Sequence, residues 1–299
     1  MRHTGERLLV LLAVLAVGCA ATTSPPDVPR DAAEGTDEGD VTDLLPADVG
    51  PLDVPADDPG PTDTPPEDTA PDVPLPPPGN RSIGGRAHFF NAEGPGQILE
   101  IEGVEGAEVF LLEYPSVRQF IGTDGLFVFP GLAEGLEVTL GLLHPDYFPS
   151  LTSTFTIGDS DLTDVTFQAV NNVIALYLGA LVGTDPSDAT RCSMVATITA
   201  IDPSQGSIWA LGEPGVTVEV DPPVPPAQGP FYFDETTVPD LELTVTTQDG
   251  GAMFAGTAPG VYTWTARKAG LAFKPRRMKC VGGWLTNASP PHGMQAMPE

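Results

Sequence analysis

The chain has 299 residues, 13 of them Lys or Arg and 41 Asp or Glu, for a formal net charge of −28 at pH 7. A surface of that sign repels phosphate backbones and anionic headgroups, which excludes nucleic acid as a partner. The 33 Gly, 34 Pro and 7% aromatics average two unlike textures, one unable to bury a core and one able to.

The first element is an export signal. Arg2 and Arg7 precede an apolar run from Leu8 to Val17, which ends at Gly18-Cys19. About 20 apolar residues are needed to span a bilayer as a helix, so the run is too short to be a membrane anchor. Leu15-Ala16-Val17-Gly18-Cys19 resembles the lipobox of bacterial lipoproteins, although Ala16 stands where Leu is commoner. The resemblance implies cleavage after Gly18, lipidation of Cys19 and, because Ala20 and not Asp follows, sorting to the outer membrane. Residues 1–18 are therefore read as the signal peptide. Several acyl chains would hold the product on the membrane.

Residues 19–80 form an acidic, Pro-rich stalk in which Asp-Val-Pro recurs at Asp27, Asp53 and Asp72. No apolar periodicity survives there, so ordering the segment would cost more than its burial could return. It is expected to be disordered and extended, reaching on the order of 100 Å at polyproline rise. Asp is dense between Asp53 and Asp68, but not at the spacing of a calcium loop.

Beyond Arg81 the texture changes to short Val, Thr, Leu and Phe runs cut by Gly-containing turns, the all-β pattern. The pattern occurs twice. Gly106-Ala107-Glu108-Val109 lines up with Gly215-Val216-Thr217-Val218, Asp124-Gly125 with Asp249-Gly250, Phe129-Pro130-Gly131 with Phe254-Ala255-Gly256, and Gly135 with Gly260. The spacing lengthens once, through an insertion that holds Pro222-Pro223-Val224-Pro225-Pro226 and Phe231-Tyr232-Phe233. Asp-Gly suits a tight hairpin, and the alternation of Phe127 with Phe129 puts both on one face of a strand. Taken together, Gly106 to Val109, Thr123 to Leu132, Gly135 to Leu140 and Pro145 to Tyr147 resemble the carboxypeptidase regulatory-like domain, a transthyretin-like sandwich. That resemblance implies two tandem antiparallel β-sandwiches, at 81–170 and 190–289. It implies little about function, since such sandwiches are appended to many activities.

Between the copies, 171–189 is a connector. Apolar residues at Val173, Leu176, Tyr177, Ala180 and Leu181 fit a helix stripe with Asn172 as N-cap and Gly183 as stop, and a buried strand fits the same run; a short helix is expected. Residues 290–299 are read as a disordered tail.

Once Cys19 is assigned to lipid, Cys192 and Cys280 remain, and an even remainder in an oxidising compartment implies one disulfide. The repeat would place Cys192 on Ile83 and Cys280 on Phe155, both in strand-like runs. A zinc peptidase needs converging His and Glu, but His88, His144 and His292 have neither Glu nor Asp three residues on, and no other catalytic motif is present. No catalytic residue, resident metal or cofactor is therefore expected. Gly158-Asp159-Ser160-Asp161 with Asp164 reads as a turn or a loose calcium loop, and His292, Met294 and Met297 as a frayed end or soft metal ligands. Phe231, Tyr232, Trp209 and Trp284 are candidate rings for stacking on sugars, with a core strand as the competing reading of Phe231-Tyr232-Phe233. The expectation is a non-enzymatic, lipid-anchored envelope protein that displays two sandwiches to a protein or glycan ligand. A carbohydrate-binding module and an accessory subunit of a secreted peptidase are the alternatives.

Overall fold

The computed structural model describes residues 74–90, 103–200 and 212–298. The signal peptide, Cys19, most of the stalk and Trp209 lie outside them. The first copy holds β1 (Pro78–Phe89), β2 (Glu108–Leu111), β3 (Tyr114–Phe120), β4 (Leu126–Leu132), β5 (Glu137–Val138), β6 (Leu140–His144), β7 (Tyr147–Thr152), β8 (Phe155–Thr156) and β9 (Leu162–Ala169). Helix α1 (Asn172–Leu181) follows. The second copy holds β10 (Cys192–Thr199), β11 (Thr217–Asp221), β12 (Phe231–Phe233), β13 (Pro239–Asp240), β14 (Gly251–Thr257), β15 (Gly260–Arg267), β16 (Leu271–Phe273), β17 (Arg276–Cys280), β18 (Leu285–Ala288) and β19 (Met294–Pro298).

The all-β expectation holds, and the repeat is built into the pairing. In the first copy β1 lies between antiparallel β4 and parallel β9, while β2, β6 and β7 pair antiparallel. In the second, β10 lies between antiparallel β14 and parallel β18, while β11, β15 and β17 pair antiparallel. The sheets are thus mixed and not purely antiparallel. Single hydrogen bonds repeat as well: Ala87 N–H donates to Gly125 O at 2.9 Å and Ile198 N–H to Gly250 O at 2.8 Å. Inward side chains alternate with outward ones, so Ile83, Phe127, Phe129, Val165 and Phe167 fill one core, and Met194, Ile198, Phe254, Trp264 and Met278 the other.

The Asp-Gly turns do a different job from the one expected. Strand β3 pairs with β2 and β4 with β1, so Asp124-Gly125 carries the chain between sheets and does not close a hairpin. Glycine is required at that corner. Gly125 has φ 68°, and a Cβ there would meet the Ala87 carbonyl oxygen at 2.3 Å; Gly250, at φ 75°, faces Ile198 O at the same distance.

The connector is the helix, with its cap one residue earlier than expected: the Asn171 side chain accepts the Val173 N–H at 2.8 Å. The helix does not merely link the copies. Ala175 packs with Phe148 of β7, Leu285 of β18 and Val170, over a line where β7 and β18 run parallel and hydrogen-bonded. Two sheets thereby become one, ordered β13-β12-β14-β10-β18-β7-β6-β2-β3. The end of the chain, expected to be a disordered tail, pairs as β19 with β10 and β16, and Met294 is completely buried. Its apolar Met294 and Ala296 alternate inward, enough to finish the edge that β18 leaves short.

Candidate functional site

Of the residues singled out in the sequence, Cys192 and Cys280 come together. They form a disulfide with Cα atoms 5.6 Å apart, and the Thr257 hydroxyl lies 3.1 Å from each sulfur. Their expected counterparts need a shift in both strands: Gly260 faces Cys280 as Gly135 bonds to Ile157, so Cys280 stands at the place of Ile157, two residues beyond Phe155. Ile83 faces Phe129 and Met194 faces Phe254, so Met194 stands at the place of Ile83, and Cys192 stands two residues earlier at the place of Arg81. A shift of two keeps the side chain on the same face, which is why the pairing still closes.

Among the described residues, the aromatic candidates Phe231, Tyr232 and Trp284 do not converge. Tyr232 is 2% exposed and turned into the second core; its hydroxyl accepts the Val218 N–H at 3.0 Å, and burial holds its pKa above the ordinary value. It is therefore not a stacking ring. Phe233 is buried, and half-buried Phe231 packs beside it against Met253, Ala255 and Val182 on the opposite face of the sheet. Trp284 is half-buried, its ring set edge-on to Phe110 of the first copy at 6.1 Å between centroids.

What the fold does assemble is the junction between the copies, which the sequence reading missed. Beside the paired β7 and β18, Thr154 N–H donates to Arg277 O at 2.8 Å, and the Thr166 hydroxyl donates to Pro290 O at 2.5 Å. The Gln168 side-chain oxygen accepts from Asn287 at 3.4 Å and from Ser289 at 3.3 Å. Lys279 pairs with Glu113, whose other oxygen accepts Thr139 N–H at 2.9 Å, and Arg277 reaches both oxygens of Glu137 at 2.7 and 2.6 Å. The Arg277 pair is about half exposed and contributes little stability. Its use is orientation. The available signal was charge position: Arg267, Lys268, Lys274, Arg276, Arg277 and Lys279 are six of the 13 basic residues, gathered in one short stretch.

His292 closes the same junction. Its Nε2 donates to Thr163 O at 2.6 Å and its ring stands edge-on to Phe155 at 5.8 Å. Burial holds its pKa below the ordinary value; Arg276 and Lys274 push the same way, against the Thr163 carbonyl and Asp164. His88 is likewise lowered, chiefly by burial. Folded protein therefore binds these protons less readily than the unfolded chain does, and stability is full above about pH 6.5 and falls as pH drops below it. His292→Gln keeps a donor for Thr163 O and should flatten part of that decline, leaving the share due to His88. Melting temperatures of both proteins at pH 7.5 and 5.5 check this, and parallel profiles would refute it.

The acidic turn is tied to protein groups: Asp161 accepts Ser82 N–H of β1 at 2.8 Å, and Asp164, at φ 60°, accepts the Thr163 hydroxyl at 2.9 Å. Met294 is in the core and Met297 is 43% exposed, so they do not form a ligand pair with His292.

No family model matches the chain, and no curated protein matches it. Among solved structures it is similar to the Bacillus anthracis TIE protein, at 14% identity over 70% of this chain and 33% of that one, with a TM-score of 0.22. This chain thus spans about a third of that protein. It is also similar to the minor pilin GBS52 of Streptococcus agalactiae, at 11% identity over 73% and 97% of the two chains with a TM-score of 0.24. A variant of the shaft pilin spaA from Lactobacillus rhamnosus GG matches at 12% identity over 74% and 100%, with a TM-score of 0.22. Superpositions this loose leave the strand pairing itself as the ground for the β-sandwich fold.

Proposed function

We propose that the chain is a lipid-anchored envelope protein that presents its joined sandwiches as a rigid display module and performs no chemistry of its own. The observation that carries this reading is the Cys192–Cys280 disulfide, because such bonds persist in exported proteins and the third cysteine, Cys19, sits in a lipobox-like stretch. Lipid on Cys19 would supply attachment, and the acidic stalk would hold the module off the membrane. The outer membrane is the destination, since Ala20 follows the cysteine. Of the described rings, a glycan reading would rest on half-buried Phe231 and Trp284, with Tyr232 spent in the core and Trp209 outside the described residues, so a protein is the favoured partner.

The test is metabolic labelling with an alkyne fatty acid in a Gram-negative host, followed by membrane fractionation. Wild type should carry label and sediment with the outer membrane, and Cys19→Ala should lose both. Unlabelled wild type, or label that survives Cys19→Ala, would end the proposal.

A further inference from the structure

The two copies differ in where the chain goes after their second strand. In the first, β2 turns back into β3 on the same sheet. In the second, the proline-rich insertion carries the chain across, and β12 adds to the opposite sheet, antiparallel to β14, with Phe231 beside Met253 and Tyr232 beside Ala252. The repeat maps Met253 onto Val128 and Ala252 onto Phe127. The edge that β12 covers in the second copy is therefore the edge of β4 in the first, and among the described residues no strand covers it there.

That edge has the features of a receiving surface. Because Gly125 O is turned toward β1, backbone groups two and four residues on turn the same way, and those of Leu126, Val128 and Pro130 turn outward. The Asp124 side chain takes Leu126 N–H at 3.1 Å. This leaves Val128 N–H and the carbonyls of Leu126, Val128 and Pro130 for an incoming strand. The side chains are apolar and open to solvent, Leu126 being 51% and Val128 53% exposed, where edge strands ordinarily carry charge. Beside Val128 on β1 stands Gly84, over which the Val128 side chain lies so closely that a Cβ there would meet its Cγ2 at 3.3 Å; Val195 takes the equivalent place in the second copy.

We propose that the open edge of β4 is a strand-acceptor site, which takes an extended segment of a partner protein antiparallel to Leu126–Leu132 with a bulky apolar side chain opposite Val128. The occupant's chemistry is that of β12, Phe231-Tyr232-Phe233, already seated on the matching edge of the same chain. Main-chain hydrogen bonds would supply affinity and the exposed Leu126 and Val128 side chains selectivity for an apolar strand. This deepens the display reading and rests on it for a biological setting; a solution test without lipid separates the failure of one from the failure of the other.

The probe is a synthetic peptide reproducing residues 230–236, Pro-Phe-Tyr-Phe-Asp-Glu-Thr, added to the full-length chain carrying Cys19→Ala. Amide exchange followed by NMR should show the Val128 N–H slowed by about tenfold or more, while Met253 N–H, already facing β12, stays unchanged. Val128→Lys, which keeps the N–H and adds a charge, should weaken binding about tenfold, and Val128→Pro should abolish it with an unchanged circular dichroism spectrum. Absence of protection at millimolar peptide would overturn the proposal. So would a dimeric protein whose Val128 N–H is protected before peptide is added, since the occupant would then be a second copy.

Discussion

Replacing both Cys192 and Cys280 by Ala should lower the melting temperature by about 10–15 °C, with the loss confined to conditions in which the wild-type bridge is intact. The bridge closes a loop with a sequence separation of 88. Chain-entropy arguments give such a loop about 4–5 kcal/mol of stabilisation, most of it from restricting the unfolded ensemble. Position strengthens the case. Cys192 opens β10, Cys280 ends β17, and these strands belong to opposite sheets of the second sandwich, so the bridge ties across the core. Both residues are almost fully buried, at 1% and 3% exposure, with Thr257 against the sulfurs. A reductant should therefore act only as the second sandwich opens: wild type heated in dithiothreitol should melt near the double variant, and the variant should ignore the reagent. Equal melting of wild type and variant in oxidising buffer would remove the bridge from the account of stability.

Much of this fold was legible because its signals are local. Phe127 and Phe129 declare a strand with one buried face, and Asp-Gly marks a turn ahead of the equivalent strand in both copies, although the hairpin it suggests is a passage between sheets at Asp124-Gly125. The connector was legible as a helix because its apolar residues recur at helical spacing, although Asn171 and not Asn172 supplies the capping oxygen. What escaped depends on residues far apart in the chain. The alignment of Cys192 slipped by two because the opening strand of each copy carries no turn residue to fix its register. Strand β19 reads as a frayed end because its segment carries no strand pattern of its own, yet Met294 fills a place in the second core. An aromatic triplet in an insertion suits a projecting loop, and its alternation suits a core strand without saying that Tyr232, and not Phe231 and Phe233, faces the second core. Only pairing with β14 decides which face each ring takes. The junction left the faintest trace, since parallel pairing of β7 with β18 follows from no periodicity in either segment.

That junction makes the second prediction. Leu285 is 8% exposed and packs with Phe148, Val170 and Ala175 at the line where the sheets meet. Leu285→Asp would delete the apolar contact and place an unpaired carboxylate there, at a cost of about 3–5 kcal/mol. The β7–β18 hydrogen bonds, the Lys279–Glu113 pair and the contacts of Thr166 and His292 all cross the same boundary, so wild type should unfold as one cooperative unit. The tryptophans supply the readout. Trp209, Trp264 and Trp284 all lie in the second half of the chain, so their fluorescence follows the second copy, while far-ultraviolet circular dichroism follows strands in both. The two signals should melt together in wild type and separate in Leu285→Asp, with fluorescence changing first, because α1 and β18 lose their packing while the core around Phe127, Phe129 and Phe167 keeps its own. Separate melting in wild type would mean that the sandwiches are strung together and not welded. A display module would then be a flexible chain of domains instead of a single rigid body.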